Sequence, residues 1–147
     1  MAGRAGVRRQ RRAPRTAVLV VAAVVALGAS ACNPPRGQGR VGLSGLVTGS
    51  ASGPSVSCTR SGTTVTATWR GSIGRNVWNV EIRLRRSDGQ GQVVASYVDG
   101  TTFRGWSSGD VTGITADEDG TLHADHDIAP AQGGQPAFHV RADLRCP

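Results

Sequence analysis

Residues 78–86, WNVEIRLRR, alternate apolar Trp78, Val80, Ile82 and Leu84 with polar Asn79, Glu81, Arg83 and Arg85. A side-chain period of two fits a strand with one buried face and does not fit a helix. The same period recurs along the chain. TTVTATWR (63–70) alternates Val65, Ala67 and Trp69 with threonines, and AFHVRADLRC (137–146) places Phe138, Val140, Ala142, Leu144 and Cys146 on one face. Val56 and Cys58 share a parity as well. SDGQGQ (87–92) returns the chain into VVASYV (93–98) as a hairpin, and the turn DEDG (117–120) separates DVTGITA from TLHADHDI. No helical periodicity competes. About seven short strands with regularly spaced turns indicate an antiparallel sandwich or barrel. The fold class expected is all-β, a small antiparallel β-sandwich, immunoglobulin-like or similar, with one disulfide.

Ahead of the strands the composition changes twice. MAGRAGVRRQRRAPR holds six arginines and no acid, and the uncharged, apolar TAVLVVAAVVALGA (16–29) follows. A basic segment, a short apolar core and small residues at a break make a bacterial export signal. The apolar core falls short of the roughly 20 residues that a membrane span wants. Two cleavages fit the break. Ala29-Ser30-Ala31 is an A-x-A site that would release a secreted protein. The same small residues before Cys32 resemble a lipobox, whose cysteine takes a diacylglycerol thioether and acyl chains such as palmitate. An ordinary secreted protein has no need of a cysteine at its first mature position, which favours the lipoprotein.

Cysteine arithmetic points the same way. An odd cysteine in an exported chain needs an explanation. With Cys32 lipidated, Cys58 and Cys146 remain as a pair in an oxidising compartment. Residues 33–54, NPPRGQGRVGLSGLVTGSASGP, are rich in Gly, Pro and Ser, lack acids, and read as a flexible tether. Val41, Leu43 and Leu46 alone there suggest a first edge strand. The expected organisation is a signal peptide over 1–31, a lipidated cysteine and tether over 32–54, and a β-sandwich domain over 55–147.

The charge of +7 is misleading. All 17 basic residues are arginines; six lie in the leader, leaving 11 against 10 acids in the mature part. A near-neutral domain gives no electrostatic footprint for nucleic acid. The absence of lysine, with abundant Ala, Gly, Arg and Val, suggests a GC-rich genome such as an actinobacterium's.

Few residues suggest chemistry. His123, Asp125 and Asp127 share a strand face, and His139 can join them from the last strand, a donor set that transition metals accept. A structural reading fits better. If Ile128 opposes Phe138, then Asp127 meets His139, Asp125 meets Arg141 and His123 meets Asp143, each a complementary pair on a solvated sheet. DEDGTL lacks the spacing of a calcium loop, and GWSSG (105–109) lacks the strand-to-helix elbow of a nucleophilic serine. No cofactor and no enzyme activity are expected. Trp69 and Trp78 fall on apolar parities and read as core. Phe103, Arg104 and Trp106, in TTFRGWSSG, are the candidate ligand loop, although Trp106 reads better as a lid folded back on one end of the sandwich.

With VSCT at 56–59, DGTLH at 119–123 and FHVRADLRC at 138–146, the chain resembles the mycobacterial lipoprotein antigen family, small lipid-anchored surface proteins of actinobacteria. The resemblance implies a lipidated cysteine matching Cys32 and a cysteine pair matching Cys58 and Cys146. It also implies envelope-surface adhesins or antigens, recognised by host receptors through the lipid. The arginine-rich strands and three tryptophans depart from it. The function expected is a non-catalytic binding or structural module on the outer face of the cell membrane. Its membrane contact is the lipid, and its partners would be cell-wall glycan, lipid or an envelope protein. A metal-binding protein or metal-dependent enzyme using His123, Asp125, Asp127 and His139 is the alternative.

Overall fold

The computed structural model describes residues 36–45, 47–132 and 134–147. The export signal expected over 1–31 and the expected lipidation site Cys32 lie outside the described residues.

Nine strands follow in order: β1 (Gly37–Ser44), β2 (Gly49–Ser61), β3 (Thr64–Ile73), β4 (Asn76–Arg85), β5 (Gln90–Asp99), β6 (Thr102–Ser107), β7 (Thr115–Ala116), β8 (Thr121–Pro130) and β9 (Phe138–Arg145). The all-β class, the antiparallel pairing and the disulfide are as the sequence predicts. The ladder runs β6-β5-β4-β3-β2-β1-β9-β8-β7, and β6 also pairs with β8. Trp106 meets Pro130 and Ser107 meets Ala129 across that seam. The ladder therefore closes on itself as a meander, which leaves no long edge strand open among the described residues.

Alternation fills the interior. Val65, Ala67 and Trp69 of β3, Trp78, Val80, Ile82 and Leu84 of β4, and Phe138, Val140, Ala142 and Leu144 of β9 are all buried. Their neighbours along each strand carry the charges outward. An apolar interior and a charged exterior are the reverse of a transmembrane barrel, which turns its apolar band to lipid.

The segment expected as a tether is a correction. Residues 37–44 form β1 and residues 49–54 the first half of β2, and β1 sits inside the ladder between β2 and β9. The domain thus begins near Gly37, ahead of residue 55. Glycines mask this strand because they stand on its inward parity, ahead of buried Val41 and Leu43. A Cβ on Gly39 would lie 2.7 Å from Trp69 Cδ1 and 2.8 Å from Val56 Cγ2. The same indole packs over Gly71. Small residues are needed there because the largest side chain of β3 occupies their space. Pro54, which suggests a boundary, falls in a β-bulge: Gly39 faces Gly53 but Gly37 faces Val56. A bulge tolerates the missing N–H of proline within a strand.

Cys58 and Cys146 form a disulfide with Cα atoms 5.7 Å apart. Their strands, β2 and β9, are separated by β1 along most of its length. The bond lies where β1 begins, beside Gly37, and closes the barrel end there. It joins β2 to the residue that directly follows β9.

Candidate functional site

Outward positions of β8 and β9 carry His123 and His139. The pairs Ile128–Phe138, Asp127–His139, Asp125–Arg141 and His123–Asp143 are all present in the register. Each of these two imidazoles is held between two carboxylates. His123 Nδ1 lies 2.7 Å from Asp143 Oδ1, and its Nε2 lies 2.8 Å from Asp117 Oδ2. His139 Nδ1 lies 2.9 Å from Asp127 Oδ1, with Nε2 2.6 Å from Asp125 Oδ1. Sequence pairing anticipates the β9 partner but not Asp117, which arrives from the turn after β7.

A neutral imidazole has one N–H, so it cannot donate to a carboxylate from both nitrogens. The geometry calls for imidazolium. Accordingly the Asp143 and Asp117 hydrogen bonds raise the pKa of His123 above its usual value. The hydrogen bond to Asp127 chiefly raises that of His139, burial opposes it, and the bond to Asp125 adds a smaller upward push. A metal ion is poorly served, because the two carboxylates lie on opposite sides of each ring. Among the described residues no group of three or more His, Cys, Asp or Glu side chains is gathered to hold one.

The candidate ligand loop is divided by the structure. TTFRGWSSG contains a strand, β6, and Trp106 points inward with 0% of its surface exposed. Its indole N–H donates to Pro136 O at 3.2 Å, and its rings pack with Tyr97, Trp78 and Phe138 at centroid distances of 5.9, 5.9 and 5.0 Å. Trp106 is core, in line with the lid reading, and leaves the candidate ligand loop. The cause is parity: it faces Ala95, an inward residue of β5. Arg104 shares that parity, and with the Gln135 side-chain amide turned to present its oxygen, Arg104 Nη1 and Nε donate to it at 2.7 and 3.2 Å. Phe103 alone of the three faces outward, 62% exposed.

Phe103 does not stand by itself. Val98 faces it on β5, and Val77 lies alongside on β4, 61% and 51% exposed. The missed signal is cross-strand: each apolar residue is unremarkable in its own segment. His126, also overlooked in HADHD, takes the inward parity, and its Nε2 is buried without a hydrogen-bond partner, near Gly113. Ser107 Oγ, in GWSSG, accepts from Gln92 Nε2 at 3.1 Å and from Gly109 N at 3.0 Å. No imidazole pairs with it.

No family model, curated protein or solved structure matches this chain.

Proposed function

We propose that the protein is a lipid-anchored envelope protein whose barrel serves as a binding or structural module without catalysis. The observation that carries this reading is the Cys58–Cys146 bond, which leaves Cys32 as the odd cysteine, placed at a lipobox-like break. Disulfides persist in oxidising compartments, in keeping with export. The resemblance to small actinobacterial surface lipoproteins agrees with the same arrangement.

The short span between anchor and barrel sharpens the proposal. Only Asn33, Pro34, Pro35 and Arg36 separate Cys32 from Gly37. Fully extended, five residue steps reach at most about 18 Å. A lipid on Cys32 would therefore keep the barrel close to the bilayer, with the Gly37 end towards it. The opposite end, with the β3–β4 and β5–β6 turns and the Val77–Val98–Phe103 row, then faces the wall. Cell-wall glycan or an envelope protein is the partner class within reach.

The test is the intact mass of the native chain extracted from membranes. A chain beginning at Cys32, carrying acyl mass and gaining two hydrogens on reduction, is the expected result. A chain beginning at Cys32 without lipid overturns the anchor.

A further inference from the structure

A groove of about 320 Å³ crosses the outer face of β3–β6 between Arg70 and Phe103. Two rows of side chains build it. Arg70 faces Asn79, Asn79 faces Ser96, and Ser96 faces Gly105, a polar row ending in a glycine. Beside it Ser72 faces Val77, and Val98 faces Phe103. A Cβ on Gly105 would lie 2.8 Å from Phe103 Cε1, so the ring lies over the glycine, against the sheet. The bare backbone at 105 makes this orientation possible. The ring and two valines are left exposed together, which folding does not reward and binding would.

The charge in the groove is one-sided. Arg70 faces an amide across the ladder rather than an acid. Glu81, the next outward residue of β4, is engaged by Arg83. Among the described residues Arg70, Asn79 and Ser96 form no side-chain hydrogen bond or ion pair with one another or with a neighbour. Ser96 is nearly covered, 9% exposed, so the guanidinium of Arg70 and the amide of Asn79 are the polar groups available to a ligand, opposite an aromatic face.

We propose that this groove binds a carboxylated sugar. The inference rests on the binding-module reading and gives it a ligand class. The backbones of β3 and β6 stand three inter-strand steps apart, about 14 Å. With Arg70 and Phe103 reaching inward from each side, one sugar residue fills the remainder, in keeping with a volume at the small end of ligand clefts. The C–H face of the ring lies on Phe103, a hydroxyl meets Asn79, and the carboxylate takes the forked guanidinium of Arg70. A neutral sugar leaves that guanidinium unmatched.

The experiment uses the full chain, expressed with its leader and extracted in detergent, titrated calorimetrically with an oligogalacturonate and with a neutral cello-oligosaccharide. Saturable binding of the acidic oligomer alone is expected. Phe103→Ala and Arg70→Gln should each weaken it by about ten-fold or more, with the thermal midpoint unchanged, while Arg60→Gln at the far end leaves it intact. Equal binding of both oligomers, no binding, or indifference to both groove variants overturns the proposal. A lipidated chain that fails to bind refutes the groove and leaves the anchor standing; a binding chain without lipid does the reverse.

Discussion

His123 and Asp143 face each other across β8 and β9, Nδ1 to Oδ1 at 2.7 Å, while Asp117 holds the other ring nitrogen at 2.8 Å. His139 repeats the arrangement with Asp127 and Asp125. Around them, Arg141 faces Asp125, and Arg145 pairs with Asp119 at 3.4 Å. The outer face of this hairpin is thus a chain of alternating charge that depends on two protons.

Stability should therefore fall on the alkaline side. Both histidines titrate higher in the folded chain than their ordinary pKa of about 6.5. Their contribution is fully present below that value and is lost as the pH rises through the raised, folded-state pKa. The thermal midpoint measured against pH should decline over that interval, and the double variant His123→Gln, His139→Gln should flatten the decline. A midpoint that rises there contradicts the clamped geometry. At the acid end the sign reverses. Hydrogen bonds from Arg85 and from Thr121 lower the pKa of Asp88 and Asp119 respectively, so their contribution is lost below about pH 3.8.

Reduction of Cys58–Cys146 should destabilise the barrel substantially. The bond spans 88 positions, and on the chain-entropy model a loop of that length contributes about 4–5 kcal/mol. Urea unfolding with and without reductant measures the difference. Paired Cys58→Ser and Cys146→Ser substitutions should give the same shift, because the effect acts mainly through the unfolded chain.

Gly39→Ala should cost about 1–3 kcal/mol by overpacking, since its Cβ meets the Trp69 indole and Val56. Gly53→Ala is the control: it pairs with Gly39 across the ladder, and nothing lies within 4 Å of its added Cβ. Equal denaturation midpoints for the two variants would remove β1 from the core and restore a flexible tether.

Trp106→Ala should cost about 3–5 kcal/mol, as expected for a buried aromatic truncated to alanine. Phe103→Ala, three positions away and exposed, should stay within about 0.5 kcal/mol. Chemical denaturation of both variants separates the core residue from the surface one. A stable Trp106→Ala variant would return that indole to the list of ligand contacts.

Period two in residues 63–70, 78–86 and 137–146 determined the strand class, the buried faces and, through the alignment of Ile128 with Phe138, the register of the last hairpin. Those are local quantities. Parity and pairing need only a strand and its neighbour. Cysteine count and spacing likewise singled out the Cys58–Cys146 bond. What the sequence by itself could not decide depended on residues brought together from distant segments. Gly39 reads as linker until Trp69 is seated against it, and Asp117 joins His123 only through the turn after β7. Phe103, Val98 and Val77 become a surface only when β4, β5 and β6 lie side by side. Ring closure between β6 and β8 also belongs to tertiary structure, because a ladder meets its own end only when every strand's twist and register are summed around the barrel.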